Sequence, residues 1–391
     1  MTRPPQPLRI AFVAGTLSQG GAEKQLVHMV AALQTAGAQV QVYSLLAGGH
    51  FEPVLNGMGV PIVHVGQRDN PVMRLWRLMR ELRRFRPHVV QAAHFYVNLY
   101  AALAARIIGA VSIGAIRSDG IKDAQDTGRW ARWLLRLPEA LVVNSFAARE
   151  RSIGSGVAPT RVHVIPNVLT LSPGPARDEA TAHEGIQAVA AGGLYPDKRF
   201  DRFIAALALA RSRHPELHGV IAGAGPERER LERQAGDLGL TPVGLRFAGH
   251  VSDLPALLRQ SQMLALTSAH EGFPNVLLEA MAEGLPVITT PAGDSGRVIL
   301  DRVTGYVVPF DDTARLADRM VELAASAELR HRLGEAGRAR VASEFSPGRL
   351  ADQLLATYSG AARRRRAAPL LSILDHSSRA RNAEPEARCP A

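Results

Sequence analysis

Two glutamates, Glu271 and Glu279, stand eight positions apart in the stretch His270-Glu-Gly-Phe-Pro-Asn-Val-Leu-Leu-Glu279. Phe273 and Pro274 precede an apolar run with helical spacing. Proline is favoured at a first helical position and asparagine can cap one, so the spacing predicts a helix beginning at Pro274 or Asn275. Glu271 then lies in the loop before the helix, and Glu279 on its first turns. A helix start presents unpaired backbone N–H groups and the positive end of the helix dipole, which suit a phosphate. A carboxylate on either side would accept hydrogen bonds from hydroxyls, in which ribose and hexose are rich. A capped surface helix with ordinary acidic residues would show the same spacing, so spacing alone leaves this chemistry open.

Other chemistry-bearing residues follow short apolar runs. Gly20-Gly21-Ala22-Glu23 comes after the first such run and opens a helix. Glycines there let the backbone approach a ligand closely, although a plain strand-to-helix turn would use them too. His94 stands just after the run Val89 to Ala92, and Arg117, Ser118 and Asp119 follow the next one. These are rim positions, suited to an acceptor or to ordinary loop packing.

The elements that must hold these residues alternate. Leu8–Ala14, Val40–Leu46, Val60–Val65, Val89–Ala92, Ser112–Ile116, Ala140–Asn144 and Val162–Ile165 read as strands. Between them lie helical patterns such as Lys24–Thr35, Val72–Phe85 and Asn98–Ile108. A second alternating series begins at Gln187 and includes strands at Gly219–Gly223, Leu245–Gly249, Met263–Thr267 and Pro286–Thr290. Strands alternating with helices point to parallel sheets covered on both faces. The expectation is therefore two tandem doubly wound α/β domains facing across a cleft. The first spans 1–170 and the second 186–345. Residues 171–185, rich in Pro, Gly and charge, read as a linker. A C-terminal helix spans 346–360, and the Arg-, Ala- and Pro-rich tail 361–391 reads as disordered.

The 391 residues suffice for two domains of average size, each with its own core. The single cysteine, Cys389, excludes a disulfide framework and a cysteine zinc site, and fits a reducing, cytoplasmic setting. No export signal is visible, and no apolar stretch reaches the roughly 18–20 residues of a membrane span. The net charge of +10 is uneven: residues 1–170 carry +10, residues 171–360 carry −4 and the tail carries +4. Nearly all of the basic charge is arginine. The segment VMRLWRLMRELRRFR, from Val72 to Arg86, places an apolar stripe among six arginines, and RWARWLLR repeats the mixture at 129–136. Amphipathic helices bearing Trp and Arg can lie on anionic membranes. A helix packed on its sheet with solvated arginines would read the same way. Nucleic-acid binding is disfavoured, because no aromatic stacking platform accompanies the arginines.

The stretch EGFPNVLLEAMAEGLPVITT resembles the E-x7-E motif of retaining glycosyltransferases of the GT-B fold, above all family 4. Gly192-Gly-Leu-Tyr-Pro-Asp-Lys198, Gly223-Ala-Gly-Pro226 and Thr304-Gly-Tyr-Val-Val-Pro309 support the resemblance, which covers about residues 8–360. It implies that Glu279 binds the ribose hydroxyls of a nucleotide and Glu271 those of the transferred sugar. Gly272, Phe273, Pro274, Asn275 and Val276 would line the sugar pocket, partly through main-chain groups. Lys198 would meet the diphosphate and stabilise its growing negative charge. Gly192, Gly193 and Gly223 join the donor set, His250 and Val251 match a loop that meets the base, and Gly20 and Gly21 face the donor phosphates. His94 would contact the donor sugar or the acceptor, and Arg117, Ser118 and Asp119 belong to the acceptor side.

Two positions depart from the family pattern. Where relatives often have Gly-Arg-Leu, this chain has Gly192-Gly193-Leu194, and the neighbouring Arg199 is the obvious replacement for the missing charge. In Gly293-Asp-Ser-Gly-Arg297, relatives often carry a glutamate at or near the last position. The resemblance implies same-face substitution with retention, no metal and no cofactor beyond the nucleotide-sugar, UDP being a more common carrier than GDP. Acceptors would be glycans or lipid-linked sugars at the cytoplasmic leaflet. The alternatives are a catalytically silent GT-B nucleotide-binding module and a nucleotide-sugar epimerase, which would act without an acceptor. The sequence leaves the sugar, the linkage and the oligomeric state open.

Overall fold

The computed structural model describes residues 6–66, 70–117, 130–171 and 185–382. Ser118 and Asp119, and the expected linker apart from its terminal residues Leu171 and Gly185, lie outside them. The chain forms two compact units, one of Met1–Val168 with Pro347–Ala391 and one of Leu169–Ser346.

The first unit is built on seven parallel strands: β1 (Arg9–Ala14), β2 (Gln39–Ser44), β3 (Ile62–His64), β4 (Val89–Ala92), β5 (Val111–Ile116), β6 (Ala140–Val143) and β7 (Val162–Val164). Their order is β3-β2-β1-β4-β5-β6-β7. Every residue of β4, β5 and β6 is buried, as expected for strands covered by helices on both faces. The helix Gly21–Thr35 turns Leu26, Met29, Val30 and Leu33 inward at helical spacing.

The second unit has six parallel strands: β8 (Ile186–Ala191), β9 (Leu217–Ala222), β10 (Leu245–Gly249), β11 (Met263–Leu266), β12 (Val287–Thr289) and β13 (Gly305–Val307). Their order is β10-β9-β8-β11-β12-β13. In each sheet the direction of winding reverses once, between β1 and β4 in the first and between β8 and β11 in the second. Open α/β sheets bind ligands at such reversals, beyond the carboxyl ends of the strands. Both units are thus doubly wound, Rossmann-like domains.

The C-terminal segment departs from expectation. The helix Leu350–Arg365 does not stand apart after the second domain. It buries Leu354, Leu355, Tyr358, Ala361 and Ala362 in the same core as Ile10, Phe12 and Val30 of the first unit. Tyr358 is fully buried, and its hydroxyl donates to Gln91 Oε1 at 2.5 Å. The tail, expected to be disordered, is helical over Ala368–Asn382, with Leu370 and Leu374 in that core. An apolar set at helical spacing outweighs the Arg- and Ala-rich composition. Among the described residues no helix is long and apolar enough to cross a membrane.

Candidate functional site

In the second unit the chemistry collects at the carboxyl ends of β8 to β11. The chain leaves β8 through Gly192 and Gly193, and leaves β9 through Gly223. These two loops are stitched by backbone bonds, Gly192 N to Ala222 O at 2.9 Å and Leu194 N to Ala224 O at 3.0 Å. Gly223 has φ +155°, and a Cβ there would lie 1.8 Å from Gly192 O. Glycine is required at this crossing by the approach of one backbone to another.

Beyond Leu194 a short turn, Pro196–Lys198, leads to the helix Phe200–Arg211. Lys198 Nζ reaches Glu271 Oε1, in the loop after β11, at 2.7 Å. Ser268 Oγ donates to the same oxygen, also at 2.7 Å. Two further bonds hold the loops in register: Thr267 Oγ1 donates to Arg199 O at 2.9 Å, and Ala269 N to Asp197 O at 2.8 Å. The pair spans the reversal between β8 and β11. Glu271 is nearly buried and Lys198 is about one-quarter exposed. Oε2 of Glu271 takes no hydrogen bond from a described residue, so one carboxylate oxygen is fixed from within and the other is left for a ligand.

The loop after β12 supports this arrangement from behind. Gly293 has φ +55°, and a Cβ there would lie 2.0 Å from Glu271 O. Asp294 N donates to Gly272 O at 3.2 Å. Pro274 is the N-cap of the helix Asn275–Ala282, which no side chain caps. Asn275 and Glu279, four residues apart, share one half-buried face of that helix. Val276 packs against the core.

Two donor-side expectations change. Phe273 does not line a pocket with its ring: it is 7% exposed and packs in the core, 5.7 Å from Phe345. Only its main chain remains for a ligand. Arg199 does not stand in for the missing arginine. It occupies a left-handed turn with φ 51°, and its guanidinium makes a two-point pair with Asp201 at 2.9 Å. The place of the missing side chain at Gly193 is taken by Tyr195, whose ring carbons lie 2.9 Å from where a Cβ would stand. His250 is exposed at the carboxyl end of β10, and Val251 packs against the core. Gly249 O accepts from Gly223 N at 2.7 Å, which ties the His250 loop to the glycine crossing.

In the first unit His94 follows β4 and is 8% exposed. Its Nδ1 accepts from Gly15 N at 3.3 Å, so the ring proton sits on Nε2. Nε2 lies 3.2 Å from Glu23 Oε1, a close ion contact without the alignment of a hydrogen bond. Tyr96 stacks on the imidazole at 5.2 Å, and burial followed by the Glu23 charge pushes its phenol pKa up. With Nδ1 taken by Gly15, Nε2 is the ring nitrogen without a hydrogen bond to a described residue, and the contact expected of His94 with donor or acceptor would fall to it. Gly20 and Gly21 do open the helix Gly21–Thr35, with Gly20 as its N-cap. The Glu23 carboxylate lies over Gly20, 2.3 Å from the position of a Cβ. A phosphate approaching this loop therefore meets an acid.

Arg117 follows β5 as expected, but its side chain turns inward. The guanidinium meets Met29 Sδ at 3.0 Å and Asn167 Oδ1 at 3.5 Å. Burial lowers its pKa to about 10. It does not present its charge to an acceptor at the rim. Sequence reasoning passed over Ser268, Tyr96 and Tyr195, whose contacts lie two or three residues away within loops of no regular period, and Glu23, whose contact with His94 is distant in sequence.

Two parallel-sheet Rossmann-like units with this strand-end site define the GT-B class of glycosyltransferases. Residues 19–172 match the family described as Glycosyltransferase Family 4, and residues 176–340 match Glycosyl transferases group 1. The chain belongs to these glycosyltransferases. It is 26% identical to the glycogen synthase of Mycobacterium tuberculosis over 92% of this chain and 95% of that protein. It is 35% identical to the Vi polysaccharide biosynthesis protein VipC/TviE of Salmonella typhi, over 28% of this chain and a fifth of that protein's length. Among solved structures, HepE of Anabaena in complex with UDP matches with a TM-score of 0.78 and 21% identity, covering 90% of this chain and all of that one.

Proposed function

We propose that this protein is a retaining hexosyltransferase that takes its sugar from a nucleotide diphosphate donor and builds a polysaccharide or glycolipid. The observation that carries the reading is the arrangement of Lys198 and Ser268 on one oxygen of Glu271, at the reversal of the donor-side sheet, beside the uncapped start of the helix bearing Glu279. This helix start offers amides to a diphosphate, and Lys198 offers a charge. Glu271 Oε2 would accept from a hydroxyl of the sugar, and Glu279 from the ribose. HepE has been crystallised with UDP and with UDP-glucose, which favours UDP as the carrier here.

In the reaction proposed, the acceptor oxygen attacks the anomeric carbon on the face from which the phosphate departs. The bond between that carbon and the phosphate oxygen breaks, and the departing oxygen takes the acceptor proton. Lys198 and the helix amides stabilise the charge that grows on the diphosphate. Same-face substitution needs no carboxylate nucleophile and no metal.

The acceptor would be a glycan or a lipid-linked sugar, met at an anionic membrane surface. On the helix Pro71–Phe85, Val72 is 77% exposed and Trp76 49%, with Arg80 over the Trp76 ring at 5.3 Å. Such a face suits peripheral binding to a bilayer. The test is a panel of UDP- and GDP-sugars, scored for thermal stabilisation, for hydrolysis and for the anomeric configuration of a transferred product. Release of free sugar or transfer with retention supports the reading. An inverted product overturns the mechanism, and turnover of donor into an epimer without acceptor overturns the transferase.

A further inference from the structure

At the opposite end of the first sheet from His94 lies a groove of about 780 Å³, near the amino-terminal ends of β4 and β5. Its apolar surface comes from Leu82, Ile107, Ile108, Val111 and Leu370, and its charge from Arg83, Arg86, Arg365 and Arg366. Among the described residues, no acidic one lines it. His88, also in the wall, has its pKa lowered to about 4 by burial and by Arg9, so at neutral pH it adds no charge.

Three helices end here, at Arg86, Gly109 and Arg366. Arginines near helix C-termini commonly satisfy the last carbonyls. Arg365 does so in kind, donating to Ala110 O and pairing with Glu139 at 3.2 Å. Arg83, Arg86 and Arg366 do not: their side chains make no hydrogen bond or ion pair with a described residue. Arg86 and Arg366 also hold φ of 53° and 58°, a conformation that glycine or asparagine adopts at lower cost. The other two arginines with positive φ, Arg199 and Arg302, each lie beside an aspartate. The left-handed turn ends each helix, but it does not require arginine at that position, and neither guanidinium is paired with a described residue.

The lining specifies an occupant. Three unpaired guanidiniums call for an anion with several oxygens. The aliphatic surface, with Ile107 53% exposed, calls for hydrocarbon, and among the described residues no aromatic side chain lines the groove to stack a base. We propose that this groove binds one anionic phospholipid, its phosphate among Arg83, Arg86 and Arg366 and an acyl chain on the aliphatic wall. Arg83 stands on the helix that exposes Val72 and Trp76, so the site extends the membrane-facing reading above and, for its vesicle arm, rests on it.

The test compares the parent with Arg86→Asn/Arg366→Asn, which retains residues at ease in the left-handed conformation. Arg77→Gln/Arg80→Gln on the exposed helix face serves as the charge control. Dihexanoyl phosphatidic acid, kept monomeric, should raise the parent's Tm and leave the groove variant's unchanged, while inorganic phosphate at equal concentration does neither. Phosphatidylcholine vesicles containing phosphatidic acid should bind the groove variant more weakly by about fivefold for each arginine removed. Equal stabilisation of both proteins by the short-chain lipid overturns the groove, as does stabilisation of the parent by phosphate alone. Because Arg77 and Arg80 lie on the helix that carries the proposed bilayer face, their loss should weaken vesicle binding too but leave stabilisation by the short-chain lipid intact; if the control variant also loses that stabilisation, the effect is diffuse charge and the proposal fails. A parent that binds no vesicles but is stabilised by the short-chain lipid upholds the groove and refutes membrane docking.

Discussion

Lys198 Nζ and Glu271 Oε1 are 2.7 Å apart, across the reversal of the second sheet. The ammonium that is proposed to meet the diphosphate is thus already paired with the acid proposed to hold the sugar. The ammonium has three N–H donors, so it can keep Glu271 Oε1 while it meets a diphosphate, which leaves Oε2 for the hexose in the proposed complex.

Glu271→Gln should separate these roles. The amide keeps the shape but loses the charge, so turnover should fall on the order of a hundredfold. UDP binding should be unchanged or modestly tighter, because Lys198 no longer has an internal anion. Calorimetry with UDP beside a transfer assay reads both. Parent turnover in this variant would remove Glu271 from the site.

Ser268→Ala removes one of the two internal bonds to Oε1 while leaving the charge. A lost hydrogen bond to a charged group costs roughly 1.5–3 kcal/mol. Transfer should fall about tenfold or somewhat more, with UDP affinity held within about threefold. Threonine, which retains the hydroxyl, should recover most of the activity. A uniform loss of stability without this split would make Ser268 a packing residue only.

Gly193→Arg supplies the charge that relatives often carry at this position. The new Cβ would strike the Tyr195 ring, which stands 2.9 Å away and is half-exposed, so the tyrosine must swing aside. The single variant should gain little donor affinity. Combined with Tyr195→Ala it should bind UDP about fivefold more tightly or better. If the pair gains nothing, that arginine has no phosphate to meet in this chain.

The strands were legible because apolar runs at short spacing have few other uses, and the glutamate pair because its helix start is written in Pro274 and Asn275. The helix Phe146–Gly154 was not anticipated, since Arg149-Glu150-Arg151 hides its weak apolar period; Ser145, which accepts from Ala148 N at 3.1 Å, was its one signal. Glu23 beneath His94 depends on a tertiary contact that spacing does not encode, and Tyr195 over Gly193 on the irregular path of one loop. The C-terminal helices were misjudged for a related reason: composition weighs every arginine, whereas folding weighs the face that Leu354, Tyr358 and Leu370 share.

His88 should leave a signature in acid. Its pKa falls from the usual 6.5 to about 4, through burial first and Arg9 second, and Nδ1 accepts from Arg9 N at 3.0 Å. The unfolded chain therefore binds the proton that the folded chain refuses. Stability is full above pH 6.5 and declines as pH falls towards 4. The ring is only half-buried, so the loss is on the order of 1–2 kcal/mol once solvent screening is allowed for. Urea unfolding of His88→Gln should show a shallower slope across this window than the parent. Identical slopes would mean that His88 titrates normally.

Removing residues 347–391 tests the union of the chain's two ends. This segment supplies Leu354, Leu355, Tyr358 and Leu370 to the first unit's core, and Tyr358 closes a buried bond to Gln91. Each such side chain contributes roughly 2–5 kcal/mol, against a total domain stability of about 5–15 kcal/mol. The truncated protein should lose the cooperative melting of its first unit. The second unit, complete within Leu169–Ser346, should keep its own transition and its stabilisation by UDP. Tyr358→Phe is the milder form, expected to lower stability by about 1–3 kcal/mol through the unsatisfied Gln91. If the truncated chain melts as the parent does, the C-terminal helices add nothing to that core.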